Sequence, residues 1–233
     1  MKKTFSIKKL LKAGWKDYKE NFKVIIGAGV IMILVSLVGQ FFGATEDSLM
    51  SSYGLASVIT VIVGLANVAL SMGFIKLMLN IIDNKNASVN DLFHGVRSFK
   101  HFILFIILSI LVGIVTLAGF IVLIIPGIII SLGLMFAKLS FVDRDMGVIE
   151  TMKYNWKLTK GHRWWLFVFI LVTALFNILG AIVLLIGLII TVPVTYLAHV
   201  RLYRMLTTGN MGMGSTTEPE IVDIEAEEFP FTE

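Results

Sequence analysis

Four histidines, His94, His101, His162 and His199, and the acid pair in "DRD" at 143–145 are the residues whose types could do acid–base or metal chemistry. A metal or proton-shuttle site needs such groups clustered, as when two His stand four apart on one helix face with a Glu between them. Here the His are dispersed and that spacing is missing. Arg144 separates Asp143 from Asp145 and a helix pattern follows, so the acids predict a turn and a helix N-cap rather than a divalent-ion site. The chain has no Cys, which excludes disulfides and thiolate metal sites. A serine nucleophile elbow and a glycine-rich phosphate loop are also missing. The expectation is a non-enzymatic chain with no cofactor and no metal.

The strongest remaining signal is the basic and aromatic string "WKLTKGHRWW" at 156–165. Nucleic acid, a membrane surface or a partner protein could each take it. Composition decides between them: 57% of the 233 residues are hydrophobic and 15% charged, where soluble domains carry about a quarter charged residues. Mean hydropathy is +0.87. This is the composition of an integral membrane protein. Binding nucleic acid needs basic and aromatic side chains free in solution, whereas these Trp stand at the mouth of an apolar run, where an aromatic belt belongs. No nucleic-acid partner is expected.

A helix needs roughly 20 apolar residues to cross the bilayer core. The runs 22–43 and 54–82 each read as one span. The runs 102–142 and 164–204 are each long enough for two, giving 102–121, 123–142, 164–184 and 187–204. Pro126 and Gly127 supply the break in the first long run, and Gly180, Gly187 or Pro193 in the second. The fold class is therefore all-α with six transmembrane helices; re-entrant hairpins are the alternative for the last two pairs. With six spans all 20 Lys and Arg fall on one side, and the positive-inside rule puts both termini in the cytoplasm. No cleavable signal peptide is expected, since no small-residue cleavage site follows the basic N-terminus.

Three segments precede the hairpins, at about 6–20, 88–100 and 146–160, and they share an apolar residue, a base, two variable positions and a second base. The matching positions are Trp15, Lys16, Lys19; Val96, Arg97, Lys100; and Trp156, Lys157, Lys160. The unit is a surface helix followed by a two-span hairpin, three times over. In the first, Ile7, Leu11, Gly14, Trp15, Tyr18 and Phe22 share a face opposite five lysines. Ser88 with Asp91 predicts an N-cap for the second, and Gly161 a C-terminal cap for the third. Helices of this kind lie among lipid headgroups, so Trp15, Lys16, Lys19, Arg97, Lys100, Trp156, Lys157, Lys160 and Arg163 are candidate contacts for anionic lipid. Lys76, Lys138 and His199 sit close enough to the cytoplasmic ends to snorkel. Deeper in the spans the notable polar groups are Asn67 and Asn177, read as interhelical hydrogen-bonding groups, with a transport site as the alternative.

The stretch "IPGIIISLGLMFAKLSFVDRDMGVIETMKYNWKLTKGHRWWLF" resembles the membrane domain that some bacterial glycerophosphodiester phosphodiesterases carry, and related stand-alone bacterial membrane proteins of unknown function. The resemblance rests on Pro126, Gly127, Asp143, Gly147, Trp156, Leu158, Thr159 and Gly161 and extends over residues 88–206. It implies a multi-helix membrane domain of the bacterial inner membrane, serving as a platform. The catalytic barrel has no counterpart in this sequence, so the resemblance does not imply the hydrolysis.

Residues 207–233 contain seven acids and no base and predict a disordered cytoplasmic tail. Ile221, Ile224, Phe229 and Phe231 among those acids suit a partner's groove or sheet edge. The leading functional reading is a membrane scaffold or accessory subunit that holds anionic lipid at its basic elbows and a cytoplasmic partner through its tail, within a membrane complex or homo-oligomer. A small transporter or channel for an apolar or lipid-like solute is the alternative, and a lipid-modifying enzyme the third.

Overall fold

The computed structural model describes residues 6–44, 55–182 and 186–208, and every regular element among them is helical. The basic N-terminal segment forms α1 (Ile7–Glu20). Three apolar hairpins follow. The first pairs α2 (Phe22–Ala44) with α3 (Leu55–Ile82); the second pairs α4 (Phe99–Val122) with α5 (Ile124–Leu134) and its continuation α6 (Ala137–Arg144). Between the second and third lies α7 (Val148–Thr159), and the third pairs α8 (Arg163–Ile182) with α9 (Ile186–Thr207).

Five stretches are long and apolar enough to cross a membrane, in α2, α3, α4, the α5–α6 pair and α8. The sixth expected span, 187–204, is helical but is not one of the five. Its sequence carries Thr191, Pro193, Thr195, His199, Arg201 and Arg204, which lower its hydropathy. The break in the second hairpin falls at Leu123, which is extended (φ −163°, ψ 152°), three residues before the expected Pro126. Pro126 then occupies the first turn of α5, where an amide has no intrahelical partner and its absence costs no bond. The break in the third hairpin, 183–185, lies outside the described residues; Pro193 is interior to α9, so it is not the break. Gly180 and Gly187 face each other beside it, and a Cβ on Gly187 would overlap the Gly180 carbonyl.

Two of the three expected surface helices form, as α1 and α7. The second does not. Ser88 accepts from the Asn90 amide at 3.3 Å and its own amide donates to Asp91 Oδ2 at 3.1 Å, yet this cap opens only a single 3-10 turn, Val89–Leu92. The physical reason is close packing. The Leu92 carbonyl and Gly95 lie directly on the backbone of α3 at Gly73, where a Cβ on either glycine would collide with main chain. The chain then restarts a helix at Ser98, whose hydroxyl accepts from the His101 amide at 3.2 Å, so α4 begins at Phe99 rather than 102.

The leading segments do not lie apart from the bundle. α1 packs along α9, the 89–92 turn on α3, and α7 across α5 and α6. Burial concentrates at the end of the molecule where α3, α6 and α9 terminate, called the base below. Toward the hairpin tips the helices expose apolar faces, including Ile33 and Leu37 of α2, Ile114 and Leu117 of α4, and Leu175 and Leu179 of α8.

Candidate functional site

Three helices end on one guanidinium. Arg204, in the last turn of α9, donates from Nη1 and Nη2 to the two oxygens of Asp143, each at 2.8 Å, and from Nη2 to Asp83 Oδ2 at 2.7 Å. Asp83 directly follows α3 and Asp143 lies in the last turn of α6. The Tyr203 hydroxyl donates to Asp143 Oδ2 at 2.9 Å. The three charged side chains are only 15–22% exposed, so their attraction is less screened than at a free surface. Arg144 stacks on Tyr154 at 4.7 Å, and burial pushes the Tyr154 phenol above its ordinary range, opposed by that guanidinium.

A second, partly buried pair joins α1 to α9. Asp17 of α1 receives two hydrogen bonds from Arg201 of α9 in the bidentate geometry typical of guanidinium and carboxylate. Gly14, one turn earlier, lets α1 lie against the Val194 carbonyl and Ala198. The buried face of α1 is thus Leu10, Gly14, Asp17 and Tyr18, while Trp15, expected on the apolar face, is 41% exposed. Sequence reading missed Asp17 because it counted the helix as lysines against apolar residues. The available signal was an acid at the spacing of the apolar positions Leu10 and Gly14.

The acids of "DRD" also do something other than capping. Asp143 binds Arg204; Asp145, left-handed at φ 52°, faces Arg97 at 3.4 Å and His101 at 3.7 Å. The N-cap of α7 is Gly147, whose amide donates to Glu150 at 3.2 Å. With Glu20 beside Lys16 and Asp91 in its cap, all seven carboxylates of the described residues have partners inside the chain. Glu20, Asp145 and Glu150 are exposed but paired, and the other exposed charges at the base are basic, including Lys8, Lys9, Lys12, Lys100 and Lys160.

The candidate lipid contacts divide on the structure. Trp15, Lys16 and Lys19 sit together on the outer face of α1, with the Lys19 ammonium 5.7 Å from the Trp15 ring centre. Arg97 and Lys100 are exposed at the foot of α4. Trp156 instead turns inward: its ring lies on Gly133 of α5, and the Arg163 guanidinium stands 3.9 Å from the ring centre. Trp164, not singled out by the repeat, is the outward ring at 79% exposure. Gly161 takes φ 85° just beyond the end of α7, a conformation that favours glycine. Lys160 is exposed and Lys157 half-buried.

Deeper in the hairpins, Asn67 accepts from Ser36 of α2 at 3.1 Å and donates to the Val63 carbonyl at 3.1 Å. Asn177 donates to Thr195 of α9 at 3.2 Å. Both amides therefore tie a helix to its hairpin partner. His199 is ringed by Phe136, Phe169 and Tyr196. Among the described residues no three His, Asp or Glu gather as a metal site. Ile221, Ile224, Phe229 and Phe231 lie outside the described residues. Comparison of the chain with protein-family models, with curated proteins and with solved structures finds no match.

Proposed function

We propose that this chain is a six-span, non-enzymatic scaffold or accessory subunit of a bacterial inner membrane, with both termini cytoplasmic and its base resting on anionic lipid. One observation carries the reading: among the described residues every Lys, Arg, Asp and Glu lies in the basal half, where the acids have partners within the chain and most lysines are exposed. A substrate-coupled transporter usually places an ionisable group near the bilayer midplane, and here that depth holds the paired amides Asn67 and Asn177. The transporter reading is accordingly second.

The three-unit repeat gains support from the packing. Positions aligned in the three leading segments, Gly14, Gly95 and Asn155, are each a point of close contact with the last helix of another hairpin: α9, α3 and α6. Each unit thus leans on the one before it, and the first leans on the third. In this arrangement α9 is the sixth crossing, its Arg201 and Arg204 held by Asp17, Asp83 and Asp143 at the cytoplasmic end. The resemblance to the membrane domain of glycerophosphodiester phosphodiesterases fits a platform role, and the acidic tail supplies a site for a cytoplasmic partner.

The test is mass spectrometry of what co-purifies with the full chain, with a chain ending at Thr208, and with a variant carrying Lys16, Lys19, Arg97, Lys100, Lys157 and Lys160 all as Gln. The scaffold reading expects a stoichiometric protein lost with the tail and anionic lipid lost with the six bases. A single solute retained by all three would favour the transporter. Because the chain has no Cys, Ser51→Cys and Asn86→Cys report topology directly: an impermeant thiol reagent should reach the first from outside and not the second.

A further inference from the structure

The irregular segment that replaces the second surface helix leaves a hollow beside it. Val35 of α2, Ala66, Ala69 and Leu70 of α3, and Phe93 and Val96 of the segment line an open cavity of 270 Å³. Every lining side chain is apolar, so a polar solute would lose its water without gaining a hydrogen bond. Drug-sized pockets start at about 300 Å³, and this one suits a slender chain more than a bulky solute. Its rim continues into exposed apolar surface, with Leu65 44% and Phe93 62% exposed. At the basal edge the character changes within one residue: Val96 lines the hollow and Arg97 follows it. The Arg97 contacts to Asp145 and to the Val142 carbonyl are long, 3.4 and 3.5 Å, and its side chain is 48% exposed. Lys100 is exposed one helical turn further on.

The segment that lines this apolar slot carries two exposed cations just beyond it in the chain, a combination suited to the acyl chain and phosphate of a phospholipid. We propose that this hollow holds one acyl chain of an anionic membrane phospholipid, with its phosphate on Arg97 and Lys100. The inference rests on the membrane-spanning reading above and narrows its lipid binding from three elbows to one built site. Ala66 and Ala69 provide the width, since larger side chains there would fill the slot. Lipid held here would cover the one leading segment that has no helix of its own, resting against α3 through Gly73 and Gly95.

The full chain, reconstituted in phosphatidylcholine vesicles containing phosphatidylglycerol with a diazirine on one acyl chain, is irradiated and the adducts mapped by peptide mass spectrometry. Adducts should concentrate on residues around Val35, Ala69 and Phe93, about tenfold above those around Ile114 and Leu117. Ala69→Trp should abolish that excess while leaving labelling at Ile114 and Leu117 unchanged. Arg97→Gln with Lys100→Gln should remove the preference for the phosphatidylglycerol probe over a diazirine phosphatidylcholine. Uniform labelling of all apolar faces in the wild-type chain would overturn the site yet leave the membrane reading intact. No labelling from within the bilayer on any helix would overturn the membrane reading itself. Crosslinks joining two chains through the hollow would make its occupant a second copy and sink the proposal. The wild-type map is decisive even if Ala69→Trp fails to fold.

Discussion

The two halves of α3 are made of similar residues and live in different surroundings. Between 58 and 69 no residue is buried, whereas eight of the twelve between 70 and 81 are, among them Met72, Leu77 and Met78 at 0% exposure. Both belong to one apolar stretch of span length. What separates them is how many groups specify a partner. The tipward half offers mostly apolar faces, which gain nothing from leaving lipid for another helix, with Asn67 on Ser36 as its polar tie. The basal half offers Gly73 for backbone contact, Asn80 for Asp91 at 3.1 Å, and Asp83 for Arg204. Throughout the molecule, apolar length puts helices in the membrane class, and small or charged residues at the base decide which helices meet.

If that contrast is right, mutations should rank by their distance from the base. Arg204→Met should do most harm, since it leaves Asp83 and Asp143 partly buried without their cation; about 3 kcal/mol is expected, near the lower end for broken buried pairs because these groups keep some exposure. Detergent melting curves would measure it. A double-mutant cycle with Asp143→Asn should show the second change costing much less once Arg204 is gone; equal costs in both backgrounds would mean the cluster is not a unit.

Next comes Gly73→Ala, where the new methyl meets the Leu92 carbonyl and neither backbone can yield easily. Overpacking of this kind costs about 1–3 kcal/mol, and its signature would be faster proteolysis between 84 and 97. A Gly73→Ala protein as stable as the wild type would show that the segment is not held there. Asn177→Leu should cost less, about 0.6 kcal/mol, the average for interhelical hydrogen bonds within membranes. Flux assays on that variant should be unchanged if the amide only joins α8 to α9. Smallest of all, Leu117→Ala near the tip of α4 should shift stability by no more than about 0.5 kcal/mol. A large loss there would indicate that the exposed face is packed against another protein, and would break the contrast drawn from α3.

Much of the site was hidden for a physical reason visible in particular residues. Ser88 and Asp91 announced a cap correctly, but a cap reports only where a helix can begin. Whether it continues depended on Gly95 reaching Gly73, a contact 22 residues apart in sequence with no local trace. Asp143 was expected in a turn and instead lies in the last turn of α6, and its partner Arg204 lies 61 residues downstream. Arg201 and Arg204 were legible as bases near a membrane boundary and illegible as the two clamps that close the bundle. Trp156 matched Trp15 in the repeat, yet one ring is packed on Gly133 and the other faces outward, because only α7 lies across a glycine of a neighbouring helix.

By itself the sequence determined the class: a helical chain with several stretches apolar enough to span a membrane and its bases gathered between them. Transfer into lipid is a sum over consecutive residues, so it can be read from a window of the chain. Only the tertiary structure decided that the leading segments dock on distant helices, that five scattered charges form two locks, and that α9 keeps arginines where an apolar helix would end. Those outcomes depend on distance and direction between groups far apart in the chain, and an ion pair or a glycine contact exists only once both partners have been placed.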